Sequence, residues 1–101
     1  TLVVAMGEIG RTPKINGGAG RDHWEFCYTV VYAGGGTKGG FVYGSSDKHG
    51  AYPSANPVTA GDVIATIYHA LGLSADLELR DRLDRPIPLV PNSAPITDVF
   101  A

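Results

Sequence analysis

Residues 1–6 read TLVVAM. A short, continuous, β-branched run closed by Gly7 is the pattern of a strand buried on both faces, as in a parallel sheet with cover above and below. Residues 7–24, GEIGRTPKINGGAGRDHW, show neither helical nor alternating periodicity. They read as one long loop, and loops beyond about 12–15 residues tend to carry function. Residues 26–33 (FCYTVVYA) are aromatic and β-branched, the composition of a strand. GGGTKGG and then FVYG, ending at Gly44, predict a hairpin back along that strand, the glycines supplying positive φ at the turn. Residues 45–57 are polar and turn-rich, and read as a second loop.

Thr59 opens the one clear helix. Thr59 and Asp62 form a T-x-x-D capping box, and Gly72 is the expected C-terminal stop. Between them Val63, Ile64, Ile67, Tyr68 and Leu71 fall on one face, which predicts the buried stripe. Asp62, Thr66 and His69 take the opposite, outer face. The tail carries Pro86, Pro88, Pro91 and Pro95 and should be irregular, with a short strand over residues 87–90. The expectation is a single α/β domain over residues 1–101, a mixed sheet with a hairpin and one main helix.

Composition excludes several classes. With 101 residues, 44% of them hydrophobic and 18% charged, the chain is built to fold and not to stay disordered. No apolar run approaches the ~18 residues of a membrane span. Eight Lys and Arg against ten Asp and Glu leave no basic field for nucleic acid. The lone Cys27 forms no internal disulfide and, within a strand pattern, reads as a small buried hydrophobe. The chain opens on a strand pattern without an initiating Met, which suggests a fragment of something longer.

Ligands in open α/β sheets sit at the carboxyl ends of parallel strands. The loop after TLVVAM brings Glu8 and Arg11 to that edge, and returns with Arg21, Asp22 and His23 before the next strand. Two carboxylates and an imidazole suit one divalent metal, with Glu8, Asp22 and His23 as ligands. Arg11 and Arg21 suit an anion. The same five residues also suit a plain hydrogen-bonded network tying the loop down. Asp47, Lys48 and His49 are a second polar cluster, better read as a surface turn. GGGTKGG lacks phosphate-loop spacing, and Ser45 and Ser46 have no visible base partner.

GEIGRTPKIN, GRDHW, AGGGTKGG, VYGSSD and PVTAGDVIATIYHALGL, in that order, resemble the C-terminal part of a bacterial sulfatase-like family of unknown function. That family is similar to the alkaline phosphatase superfamily, which includes sulfatases and cofactor-independent phosphoglycerate mutases. The resemblance implies a C-terminal fragment of an alkaline-phosphatase-like α/β/α sandwich. It implies a parent that uses metal ions and a Ser, Thr or formylglycine nucleophile to hydrolyse a sulfate or phosphate ester. On the superfamily's Asp-His-Gly metal motif, Glu8 takes the Asp position, Ile9 the His position and Gly10 the Gly position. A carboxylate is kept there and an imidazole is lost. His23 resembles a later metal-binding His. The implied ligands are therefore Glu8 and His23, with Asp22 as a third ligand or as the partner orienting the imidazole. Arg11 and Arg21 would clamp the anion, and Zn, Mn or Ca would be the cofactor, its site vacant in the isolated chain. The nucleophile lies upstream in the superfamily, so the implied partner is the N-terminal remainder of the parent. Self-association is the alternative cover for the strand. A twin-arginine signal, common in the family, implies an exported, periplasmic parent. The competing expectation is a non-catalytic binding or structural module that keeps the fold without the metals.

Overall fold

The computed structural model describes all residues, 1–101. Eight short strands run β1 (Leu2–Met6), β2 (Gly10–Arg11), β3 (His23–Trp24), β4 (Val30–Gly34), β5 (Ser45–Ser46), β6 (Pro53–Ala55), β7 (Glu78–Arg80) and β8 (Pro86–Pro88). The helix α1 (Ala60–Ala70) separates β6 from β7, and a 3₁₀ turn, Thr97–Val99, ends the chain. The strands form four separate two-stranded antiparallel sheets: β1 with β4, β2 with β3, β5 with β6 and β7 with β8. The fold is thus α/β with one main helix and several small sheets. The expected mixed central sheet is not formed within these residues.

β1 lies where the sequence predicts a strand, but its partner and its cover differ from the expectation. It runs antiparallel to β4, Leu2 opposite Gly34 through Met6 opposite Val30. One face of the pair carries Leu2, Val4, Val30 and Tyr32, all half-buried, and Tyr32 Oη donates to the carbonyl of Val63 on α1, 3.0 Å away. Burial pushes the Tyr32 hydroxyl pKa up, against a smaller lowering from the Thr66 hydroxyl. The other face carries Val3, Ala5, Val31 and Ala33, all exposed. The strand has one covered face, not two.

The hairpin expected from residues 26–33 to residues 41–44 does not form, and the glycines are the reason. Gly34, Gly35 and Gly36 all have positive φ (72°, 55° and 84°), and Thr37 closes the turn by donating from its amide and its hydroxyl to the Gly34 carbonyl. That turn delivers the chain to the C-terminus instead. Thr37 bridges Phe100, Lys38 N donates to Val99 O, and Ala101 N donates to Gly36 O. Residues 41–44 stay outside any strand, with Val42 83% exposed.

Both segments read as loops contain hairpins. Residues 7–24 close on Asn16, whose Oδ1 accepts from the amides of Gly18 and Gly20 at 2.9 and 3.0 Å. Residues 45–57 hold β5 and β6, with Asp47 Oδ1 accepting from the amides of His49 and Ala51. The Ala51 amide leads in holding the Asp47 carboxyl below its ordinary range, and the second polar cluster is the surface turn expected. Trp24 joins these two hairpins. Its Nε1 donates to Ala51 O at 2.6 Å, and its ring packs edge-on against Phe26 and Tyr52, centroids 4.9 and 5.6 Å away.

α1 begins as the sequence predicts. Thr59 Oγ1 accepts from Asp62 N, and Asp62 Oδ2 accepts from Thr59 N. Gly72 (φ 81°) follows Leu71 at the C-terminal end. The buried side is turned from the one expected: Val63, Ala65 and Thr66 are buried, whereas Ile64 and Leu71 are 42% and 67% exposed. The supposed outer face is covered by the C-terminal segment. Asp62 Oδ1 accepts from Ala94 N, Thr66 Oγ1 accepts from Ile96 N, and His69, although exposed, lies against the Phe100 ring. β7 and β8 extend toward the helix through Leu89 N to Leu77 O and Val90 N to Ala75 O, setting Ala75 and Val90 against Ala65.

Thr59→Ala is expected to cost about 1 kcal/mol, the usual worth of an N-cap, measured as the shift in a urea midpoint. Burial raises the Asp62 pKa, but bonds from the Thr59 and Ala94 amides and the Thr59 hydroxyl outweigh it, and the carboxyl is held below its ordinary value of 3.8. A depressed folded-state pKa adds stability above the unfolded value and loses it as pH falls through the folded one. The clamp on the C-terminal segment therefore weakens only in that acid range.

Candidate functional site

Antiparallel pairing of β2 with β3 sets Gly10 opposite Trp24 and Arg11 opposite His23. The ladder continues as Thr12 N donates to Asp22 O, and Asp22 N returns a bond to Thr12 Oγ1. Four of the five predicted residues, Arg11, Arg21, Asp22 and His23, are thus gathered on one hairpin. Glu8 lies just before it, exposed, and makes no side-chain hydrogen bond within the chain.

The hairpin uses most of this charge internally. Arg21 Nη1 donates to the carbonyls of Thr12 and Pro13 at 2.8 and 2.9 Å. Arg11 Nη1 reaches Arg21 O at 3.3 Å. Asp22 Oδ1 accepts from Asn16 Nδ2 at 3.0 Å. Neither guanidinium pairs with a carboxylate; the chain's single ion pair, Arg85 with Asp81, lies in the β7–β8 hairpin. Arg11, Arg21 and Asp22 thus form a clasp of polar side chains within the hairpin, in which the Glu8 and His23 side chains take no part.

No group of three His, Cys, Asp or Glu side chains placed to hold a metal ion is present in the chain. Glu8, Asp22 and His23 are all exposed. The serines show no nucleophilic arrangement either: Ser45 Oγ and Ser54 Oγ share a bond of 3.1 Å, and Ser46 Oγ donates to Asp47 O.

Two features escaped the sequence reading. Thr66 and Asp62 hold the C-terminal segment, which was legible only as polar residues on the wrong side of an apolar stripe. The second is an open groove of about 720 Å³ between β4, residues 41–46 and the start of α1, lined by Tyr28, Tyr32, Phe41, Tyr43, Val63 and Val99 among others. Its signal was the aromatic content of FCYTVVYA and FVYG, which sequence reading assigned to a paired hairpin. No helix is long and apolar enough to cross a membrane.

Neither curated proteins nor solved structures gave a match to the chain. The family model described as "Protein of unknown function (DUF1501)" matches residues 1–100, in agreement with the ordered motifs from GEIGRTPKIN to PVTAGDVIATIYHALGL. By that match over nearly its whole length, the chain belongs to the DUF1501 family, whose function is unknown.

Proposed function

We propose that this chain is a non-catalytic structural module that docks on protein through the apolar face of its β1–β4 sheet. The observation that carries this is the composition of that face. Val3, Ala5, Val31 and Ala33 are exposed side by side without one polar or charged neighbour among them. Antiparallel sheets with a solvated face alternate apolar with polar residues, and this one does not. Arg11, Arg21 and Asp22 are meanwhile engaged in hydrogen bonds within the β2–β3 hairpin.

The alternative rests on the resemblance to sulfatases and alkaline phosphatases. In it the chain completes the α/β/α sandwich of an exported ester hydrolase, with Glu8, Asp22 and His23 on a metal and Arg11 and Arg21 on the sulfate or phosphate. That reading needs further ligands and a nucleophile brought to this hairpin by an N-terminal remainder. Metal analysis for Zn, Mn and Ca of the chain joined to that N-terminal remainder separates the two. The docking module predicts no stoichiometric binding. One equivalent bound, and lost in His23→Ala, would overturn it.

A further inference from the structure

We infer that Asn16 is a site of self-modification, where the folded chain promotes attack of the Gly17 nitrogen on the Asn16 side-chain amide, with loss of ammonia and conversion to aspartate or isoaspartate. This chemistry belongs to the tip of the β2–β3 hairpin and is independent of what docks on the β1–β4 sheet.

Three groups surround the one amide. The nucleophile is the Gly17 nitrogen, which makes no hydrogen bond within the chain and belongs to an exposed residue. The bond from the Gly18 amide to Asn16 Oδ1 folds the side chain back over the peptide that follows it, toward that nitrogen. Oδ1 also accepts from the Gly20 amide, the two bonds being 2.9 and 3.0 Å long. Fixed amide donors stabilise an oxyanion more than a neutral carbonyl, so they favour addition at Cγ. On the other side, the leaving nitrogen Nδ2 lies 3.0 Å from Asp22 Oδ1. That nitrogen becomes cationic as it departs, and a carboxylate stabilises the charge. Asn16 N to Gly20 O and Ala19 N to Asn16 O hold the turn in this shape.

Hydroxide removes the Gly17 N–H proton, the nitrogen adds to Cγ, and the carbonyl electron pair moves to Oδ1. The pair returns as the Cγ–Nδ2 bond breaks, and Nδ2 takes a proton from water and leaves as ammonia. Water then opens the five-membered succinimide at one carbonyl or the other. Aspartate places a carboxylate oxygen where Nδ2 donated to Asp22, so a bond becomes a repulsion. Isoaspartate diverts the main chain through Cβ and lengthens the turn by one carbon. Both products loosen the hairpin that carries Arg11, Arg21, Asp22 and His23.

The other two asparagines provide the comparison. Asn56 precedes Pro57, which has no N–H to lose. Asn92 precedes Ser93, and no backbone amide donates to its side chain.

The test is peptide mapping by mass spectrometry of the chain aged at neutral pH, with isoaspartate read by enzymatic methylation. Product should form at Asn16 several-fold faster in the folded chain than in the guanidinium-unfolded one, and ahead of Asn56 and Asn92. Amide exchange at Thr12, whose N–H is bonded to Asp22 O, should quicken as product accumulates. Nothing lies within 4 Å of a Cβ at position 17, so Gly17→Ala keeps the fold. It should slow the reaction about tenfold, because the added carbon crowds the attacking nitrogen. Asp22→Asn keeps an acceptor for Nδ2 and removes the charge, and should slow it about threefold, the scale of an exposed charge pair. Should Asp22→Asn lose the hairpin, Gly17→Ala and the unfolded chain still decide. A folded rate equal to or below the unfolded one overturns the inference, as does product at Asn92 ahead of Asn16. So does a rate indifferent to Gly17→Ala, or to Asp22→Asn in an intact hairpin.

Discussion

Gly10→Ala should destabilise the chain by about 3 kcal/mol, the upper part of the range for forcing atoms into a filled site. Gly10 is buried in β2, and a Cβ there would lie 2.5 Å from the carbonyl oxygen of Cys27 and 2.7 Å from that of Trp24. Both obstacles are backbone, so no side-chain rotation relieves the clash. The strands would have to part, and with them the hairpin that carries Arg11, Arg21, Asp22 and His23. Gly17 is the control, because nothing lies within 4 Å of a Cβ placed on it. Gly17→Ala should be neutral, or stabilising by a few tenths of a kcal/mol through a less flexible unfolded chain. Urea midpoints of the two variants measure the difference. Equal midpoints would mean that the approach of residues 24–28 to Gly10 is not as described.

Thr66→Val should cost about 2 kcal/mol, the price of leaving a buried donor without its acceptor. Thr66 is fully buried, and its Oγ1 donates to Asp62 O at 2.6 Å and accepts from Ile96 N at 2.9 Å. Valine fills the same space and offers Ile96 nothing. The amides of Ile96 and Ala94 should then exchange faster together, since Asp62 and Thr66 hold neighbouring points of one segment. Thr66→Ser keeps the hydroxyl and should keep the Ile96 bond. A Thr66→Val variant with wild-type stability would show that the C-terminal segment is not fastened to α1 by this bond.

The helix was legible because its signals are local. Thr59, Asp62 and Gly72 announce its ends without reference to any other part of the chain. Its buried side was not legible, because residues 94–100 decide it, and their attachment through Asp62 and Thr66 spans 32 and 30 positions. Strand content at residues 1–6 and near 30–34 was legible from β-branched composition, but the pairing of β1 with β4 was not. Glycines announce a turn without saying where it sends the chain. At Gly34–Gly36 it leads to Phe100 and not back along β4. The β2–β3 hairpin was hidden because each strand is only two residues long, too short to show a period. For the candidate site, the sequence named the residues that share that hairpin. It could not show that Arg21 would turn inward to the Thr12 and Pro13 carbonyls.

The division of the strands into four unjoined pairs bears on cooperativity. A continuous sheet melts as one unit, because each strand's ladder depends on its neighbours. Separate hairpins need not, and a chain assembled from them loses structure in stages. The single tryptophan, Trp24, reports through its fluorescence on the cluster with Phe26 and Tyr52. Ellipticity at helical wavelengths reports on α1 alone. The two signals follow different parts of the chain, so their midpoints separate and the calorimetric enthalpy exceeds the van't Hoff value. A partner seated on the β1–β4 sheet would draw these stages together, and folding and assembly would then be read as a single transition.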